Sequence, residues 1–236
     1  MALAKSTKNV VGQNTAKNST KFMISIPVAI LIFILFILFL PVLCVLAFLK
    51  LATFGFENLG FSANATILIL ALILLGSVVN IPLTKKELTY VSKSYFFGLF
   101  KKREPKVSMV AINLGGAIIP ILISLYFLTK VPLQPVLIAI FLMIIVSKIL
   151  AKPVAGKGIV INAFIPPLFA VLFAIILAPS FAAPCAFISG VLGILIGGDI
   201  LNLRKARKIN SGLISIGGAG VFDGIFLTGI ISALLV

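Results

Sequence analysis

Long apolar blocks separated by short polar segments organise this sequence. The first block runs from Phe22 to Leu49, and the others cover approximately residues 64–83, 107–129, 132–150, 158–178, 182–203 and 213–236. A helix rises about 1.5 Å per residue, so crossing about 30 Å of hydrocarbon takes about 20 apolar residues. The pattern predicts an all-α, polytopic membrane helix bundle of about seven transmembrane helices, built as a single transmembrane domain over residues 22–236.

The polar segments predict the orientation of these helices. Residues 1–21 place Lys among Ser, Thr and Asn without apolar periodicity, which predicts a disordered tail. Residues 84–106 form a basic loop, and further cations follow the sixth block at residues 204–208. Because short cytoplasmic loops carry the excess of Lys and Arg, we expect a multi-pass protein of the cell membrane with its amino terminus in the cytoplasm and its carboxyl terminus outside.

Composition narrows the class of protein. Hydrophobic residues make up 61% of the chain and charged residues 11%, and the mean hydropathy is +1.28. Soluble domains carry about 25% charged residues, so a water-soluble fold is excluded. The net charge of +15 is concentrated in the tail and loops. It predicts contact with anionic lipid headgroups at the cytoplasmic face of the bilayer and gives no reason to expect a nucleic-acid partner.

Several kinds of chemistry are excluded by missing residue types. The sequence has no His and no Trp, so imidazole metal sites, haem ligation by His and Ser-His triads are absent. Cys44 and Cys185 both fall inside apolar blocks, where a free thiol behaves as a small hydrophobic group. We therefore expect no disulfide, no metal site and no cofactor.

The two ends of the chain are weakly similar, which is one sign of an internal repeat. The closest match pairs residues 112–117 of span three with 214–219 of span seven, and weaker matches pair 75–80 with 196–202 and 25–27 with 164–166. If the matches reflect duplication, spans one to three and five to seven form a 3+1+3 parallel repeat linked by span four. The alternative is that helices rich in Leu, Ile and Gly resemble one another by composition alone.

Two acidic residues inside apolar blocks are the main candidates for chemistry. Asp199 in span six and Asp223 in span seven are predicted to lie about 6 and 9 Å inside the cytoplasmic face. A carboxylate at mid-helix costs about 2.5 to 3.5 kcal/mol, so such acids usually face a protein interior and mark a site. For Asp199 the alternative is that the side chain reaches the interface near Arg204.

Amides and glycines inside the apolar blocks are further candidates for a substrate or ion site. Each amide is followed by a proline, which favours a broken helix with free carbonyl groups, and the glycines allow the backbone to unwind or approach a neighbour. The alternative for each Asn is a hydrogen bond that bridges two helices. These candidates are Asn80, Asn113, Asn162, Gly217, Gly218 and Gly220.

Three segments carry a resemblance to a known family. Residues 113–120, 196–203 and 215–229, with Asn113-Leu114-Gly115-Gly116 at the start of the first, resemble the prokaryotic membrane-protein family catalogued as domain of unknown function 1614. The resemblance implies a membrane fold and adds no activity. A looser resemblance links Asp199 and Asp223 to intramembrane aspartyl proteases, but neither Asp lies in the Gly-x-Gly-Asp motif and no Pro-Ala-Leu triplet follows.

These features leave three hypotheses for function. The first is a proton- or cation-coupled transporter of a small solute that uses the intramembrane Asp residues. The second is an intramembrane aspartyl-type protease in which Asp199 and Asp223 share one proton and activate a water. The third is a structural or lipid-interacting membrane protein without catalytic chemistry.

Overall fold

The computed structural model describes the backbone of residues 3–95, 100–154, 156–209 and 212–234; side chains are described in these ranges except at 3–27, 48, 58, 87, 89–106, 219–223 and 233. The chain divides into two compact units, Met1–Lys50 and Leu51–Val236. The described part of the first unit lies within helix α1 (Leu3–Asn58). The side chains of this helix from Val28 onward are largely apolar and exposed. The backbone of α1 includes residues 3–21, for which the sequence predicts a disordered tail, and the disorder of that tail stays a prediction.

The second unit is mostly helical, in agreement with the predicted helical class. Two helices are extended by π-helical segments in which a Gly-Gly pair loosens the backbone: π1 (Leu114–Ile118) leads into α3, and π2 (Ile194–Asp199) follows α6. Single 3₁₀ turns lie at Pro179–Phe181 and Ile200–Asn202. The helices are α2 (Ala63–Gly76), α3 (Ile119–Leu128), α4 (Leu133–Leu150), α5 (Ile165–Leu177), α6 (Ala182–Gly193), α7 (Leu203–Ile209) and α8 (Ala219–Ala233).

Strands replace helix in parts of four of the predicted spans, which is a difference from the sequence interpretation. In one sheet β3 (Phe100–Asn113) pairs antiparallel with β1 (Asn80–Pro82) and β2 (Glu87–Tyr95) and parallel with β6 (Gly212–Ile216). A separate hairpin joins β4 (Lys152–Val154) and β5 (Gly158–Val160). Extended backbone is tolerated in an apolar region when its N–H and C=O groups are paired within the protein, and this sheet supplies that pairing.

Three helical stretches are long and apolar enough to cross a membrane by length and composition. Among the described residues these are Val28–Glu57, Leu133–Leu150 and Pro179–Ile209, while Ala63–Gly76, Leu114–Leu128 and Ile165–Leu177 are apolar but shorter. A helix of 13 to 15 residues spans only about 20 Å. The apolar helices indicate membrane association, while the number of spans stays a prediction.

Helix α6 is the centre of the second unit. It packs against α3, α4, α5 and α8, and most of its side chains are buried. In the middle of α6, the ring of Phe187 packs edge to face against those of Phe56 and Phe127, with centroids 6.1 and 5.5 Å away. At the carboxyl-terminal end of α6, π2 continues the helix to Asp199. Among the described side chains, the core thus holds one acidic group, Asp199, in the part of its central helix that is irregular.

Candidate functional site

Asp199 is the only acidic side chain that is buried among the described residues. Its exposed fraction is 0%, and it is the last residue of π2. Oδ2 accepts a hydrogen bond from the backbone N–H of Gly217 at 2.5 Å, whereas Oδ1 has no hydrogen-bond partner. A buried carboxylate without a positive partner is costly unless it binds a proton or a cation. This geometry agrees with the interior location predicted for Asp199.

A network of polar side chains joins the strand ends beside this carboxyl group. Asn113, which ends β3, donates from Nδ2 to the Ser77 carbonyl at 2.6 Å and to Asn80 Oδ1 at 3.2 Å. Its Oδ1 accepts from the Gly116 N–H at 2.7 Å, which caps π1. The Ser215 hydroxyl of β6 also donates to Asn80 Oδ1. Asn80 and Asn113, two predicted site residues, are therefore in direct contact.

Gly217 connects this network to Asp199. It follows β6 with a φ of +68°, and a Cβ added there would lie 2.5 Å from the Gly116 carbonyl oxygen. The N–H of Gly217 faces Asp199 while its α-carbon lies against π1. The turn at Gly217 thus brings the ends of β3, β6 and π2 together.

Asn202 satisfies carbonyl groups that the irregular helix leaves open. Its Nδ2 donates to the Gly197 and Gly198 carbonyls, each at 3.0 Å, and the side chain is 3% exposed. Sequence reasoning did not select Asn202 or Ser215. For Asn202, the sequence offered one signal, an amide that follows the Gly197-Gly198 pair by a few residues. For Ser215, the signal was a hydroxyl two residues before the Gly217-Gly218 pair.

The remaining predicted residues lie apart from the network or outside the described side chains. Asn162 is exposed, and its Oδ1 accepts from the Phe164 N–H at 3.0 Å near the start of α5. Gly218 donates its N–H to the Ser215 carbonyl at 3.2 Å. Asp223 and Gly220 belong to α8, but residues 219–223 lie outside the described side chains. The predicted Asp199–Asp223 pair, and the protease hypothesis that requires it, stay predictions.

We expect replacement of Asn113 by alanine to lower the free energy of unfolding by about 2 kcal/mol or more, since it removes three hydrogen bonds and leaves buried groups unpaired. Thermal unfolding in detergent measures this. The exposed Cys44 is replaced by Ser, so that a thiol-reactive dye reports exposure of the buried Cys185. Asn162→Ala, which removes one exposed hydrogen bond, is the control, with an expected cost of about 1 kcal/mol or less. Equal effects of the two changes would contradict a central role for Asn113.

Comparison with known proteins identifies the family. The model of the family described as "Protein of unknown function (DUF1614)" matches residues 74–235. The chain belongs to the DUF1614 family. The match begins in α2, before the resemblance that starts in span three, so this DUF1614 region includes Asn80 as well as Asn113 and Asp199. Neither the curated proteins nor the solved structures contain a match to the chain.

Proposed function

We propose that this DUF1614 protein is a multi-pass membrane transporter that couples movement of a small solute to a proton or small cation bound at Asp199. The observation that carries the proposal is the fully buried carboxyl group with one unpaired oxygen, Oδ1. Asp199 forms no ion pair with any described residue, so a mobile positive charge is the simplest neutralising partner.

The backbone around Asp199 supports the same proposal. Transporters often place ion sites where helices depart from regular geometry. Asp199 lies where π2 passes into the 3₁₀ turn Ile200–Asn202, inside the longer helical stretch Pro179–Ile209. It accepts a hydrogen bond from Gly217, whose turn lies against π1. An irregular helix can also change its backbone at lower cost than a regular one, which alternating access requires.

The proposed topology keeps seven spans, with the amino terminus in the cytoplasm and the carboxyl terminus outside. The cations at residues 84–106 and 204–208 would then face anionic headgroups on the cytoplasmic side. The proposed 3+1+3 repeat has support from local structure. Both partners of its closest match pass from a strand into a helix, and the strands, β3 and β6, are parallel neighbours.

Vesicles reconstituted with the full chain test the proposal. A pH gradient is imposed, and its collapse is followed with an enclosed dye after addition of Na⁺, K⁺, Li⁺ or a pool of amino acids, sugars and organic acids. We expect wild-type vesicles to collapse the gradient with at least one addition and Asp199→Asn vesicles to be at least tenfold slower, since the amide can keep the Gly217 bond but carries no charge.

Glu57→Gln is the matched control because Glu57 is an exposed carboxylate. It should transport at the wild-type rate. Wild-type vesicles that behave like empty ones with every addition, or an Asp199→Asn protein as fast as the parent, would refute the proposal.

A further inference from the structure

A cavity of about 330 Å³ lies at the amino-terminal end of α6. Three separate segments line it: Leu59 just after α1, Phe127, Lys130 and Val131 around the connection from α3 to α4, and residues 179–184 between α5 and α6. Sites for small molecules usually have volumes of about 300 to 1,000 Å³, so this space, the α6 cavity, is large enough for a small organic solute.

The walls of the α6 cavity are apolar except at Lys130 and Ser180. Lys130 is the only charged side chain among the described residues that line it. Its ammonium group donates to the Tyr126 hydroxyl at 2.5 Å and lies 4.1 Å from the centre of that ring. An ammonium group has three N–H donors, and Lys130 forms no ion pair with a described carboxylate. One positive charge with donors to spare therefore borders an apolar space.

The start of α6 adds to the positive charge of Lys130. Ala182 and Ala183 line the cavity, and no side chain caps the helix there. The N–H groups of a helix start carry a partial positive charge. In contrast, the side chains of Leu59, Val131 and Phe181 have no group that could pair with a second negative charge. This combination fits a monoanion with an apolar body better than a polyanion such as phosphate.

The α6 cavity also lies on a path toward Asp199, which is roughly 25 Å away along the helix. The ring of Phe127, on the cavity wall, packs edge to face against Phe187 with centroids 5.5 Å apart. Phe187 lines a second, apolar cavity of about 20 Å³, which has space for about one water and extends to Gly115 of π1. Gly115 lies two residues after Asn113 in the network beside Asp199. The two rings thus separate the α6 cavity from an inner space that reaches this network.

We propose that the α6 cavity binds the transported solute, and that this solute is a small organic monoanion with an apolar body whose negative group contacts the Lys130 ammonium. The inference rests on the proposed function and names its substrate class. One proton or monovalent cation at Asp199 balances one such anion, so the coupled movement carries no net charge and the membrane potential does not oppose it. In the proposed topology the cavity opens on the outer side, opposite the cations at residues 204–208.

Equilibrium dialysis of the purified full-length protein against radiolabelled benzoate tests this site at constant ionic strength. We expect saturable binding that unlabelled benzoate and 3-methylbutanoate displace. Benzyl alcohol has a similar apolar body without the charge, and inorganic phosphate has charge without the apolar body. Each should be at least about tenfold weaker as a competitor, because the site uses both a charge-assisted hydrogen bond and apolar contact.

Substitutions at Lys130 and its neighbour separate the charge from local structure. Lys130→Gln should raise the Kd for benzoate at least about tenfold, whereas Lys130→Arg keeps the charge and should stay within about threefold of the parent. Tyr126→Phe removes the hydrogen bond to Lys130 but leaves its charge, so it should also stay within about threefold. Lys50→Gln is the matched control, since Lys50 is an exposed cation that does not line the cavity, and it should bind benzoate like the wild type.

Two results would overturn this inference: no saturable binding of either carboxylate to the wild type, or a wild-type Kd in Lys130→Gln. Neither would refute the proposed function, which is decided by the pH-gradient assay on wild-type and Asp199→Asn vesicles. If benzoate binds as expected but wild-type vesicles do not transport, the proposed function fails, and with it the assignment of the anion as a transported solute.

Discussion

Replacing Gly217 by alanine is expected to destabilise the protein by about 3 kcal/mol or more and to abolish transport. Gly217 has a φ of +68°, which costs an L-residue about 1 to 2 kcal/mol. In addition, the new Cβ would lie 2.5 Å from the Gly116 carbonyl oxygen and 2.8 Å from the Ala117 Cβ. The backbone of Gly116 must move to make room for the new Cβ, and such overpacking usually costs a further 1 to 3 kcal/mol, roughly.

The Tm from the thiol-dye method measures this cost, and a loss of about 3 kcal/mol corresponds to a fall of roughly 6 to 12 °C. Gly212→Ala is the control that separates backbone strain from steric overlap. Gly212 also has a positive φ, +97°, but a Cβ there would meet nothing within 4 Å. Gly212→Ala should therefore lower the Tm by less than half as much.

The consequence for transport follows from the N–H group of the same residue. Gly217 donates to Asp199 Oδ2, so displacement of the turn would move the one donor that holds this carboxyl group in the described part of the chain. Gly217→Ala should lose coupled transport even at temperatures where it remains folded. A variant with the wild-type Tm and rate would show that the turn does not support the Asp199 site.

The helical class and the membrane character could be predicted from the sequence because they depend on local composition and on the length of apolar blocks. The pairing of the strands into a sheet could not be predicted in this way. β3 pairs with β6 through contacts such as Ser108 with Gly212, which are far apart in the chain, and an apolar block has no feature that reveals its partner. The short runs that end at Asn113 and Ile216 were assigned to helices because they continue longer apolar blocks.

The candidate site was predictable in part for a related reason. Asp199 stood out because a carboxylate in an apolar block is costly wherever it lies. Asn113 and Asn162 carried the same signal, an amide before a proline, yet one joins the buried network and the other is an exposed residue near the start of α5.

Replacing Gly197 by alanine is the second change with a large expected effect. The atoms nearest to the added Cβ are all backbone atoms of Ile144, with the carbonyl oxygen at 2.2 Å and the carbonyl carbon and Cα each at 2.9 Å. No side chain can rotate away, so α4 and π2 must separate. We expect a loss of about 3 kcal/mol or more, because overlap between two helix backbones lies at the upper end of overpacking costs.

The adjacent glycine gives a control in the same segment. A Cβ at Gly198 would lie 3.8 Å from Ile194 Cγ2 and 3.9 Å from Ala151 Cβ, which is ordinary van der Waals contact. Gly198→Ala should keep the wild-type Tm or raise it slightly, since alanine restricts the unfolded chain. Equal Tm values for the two variants would show that α4 and π2 are not in backbone contact at Gly197.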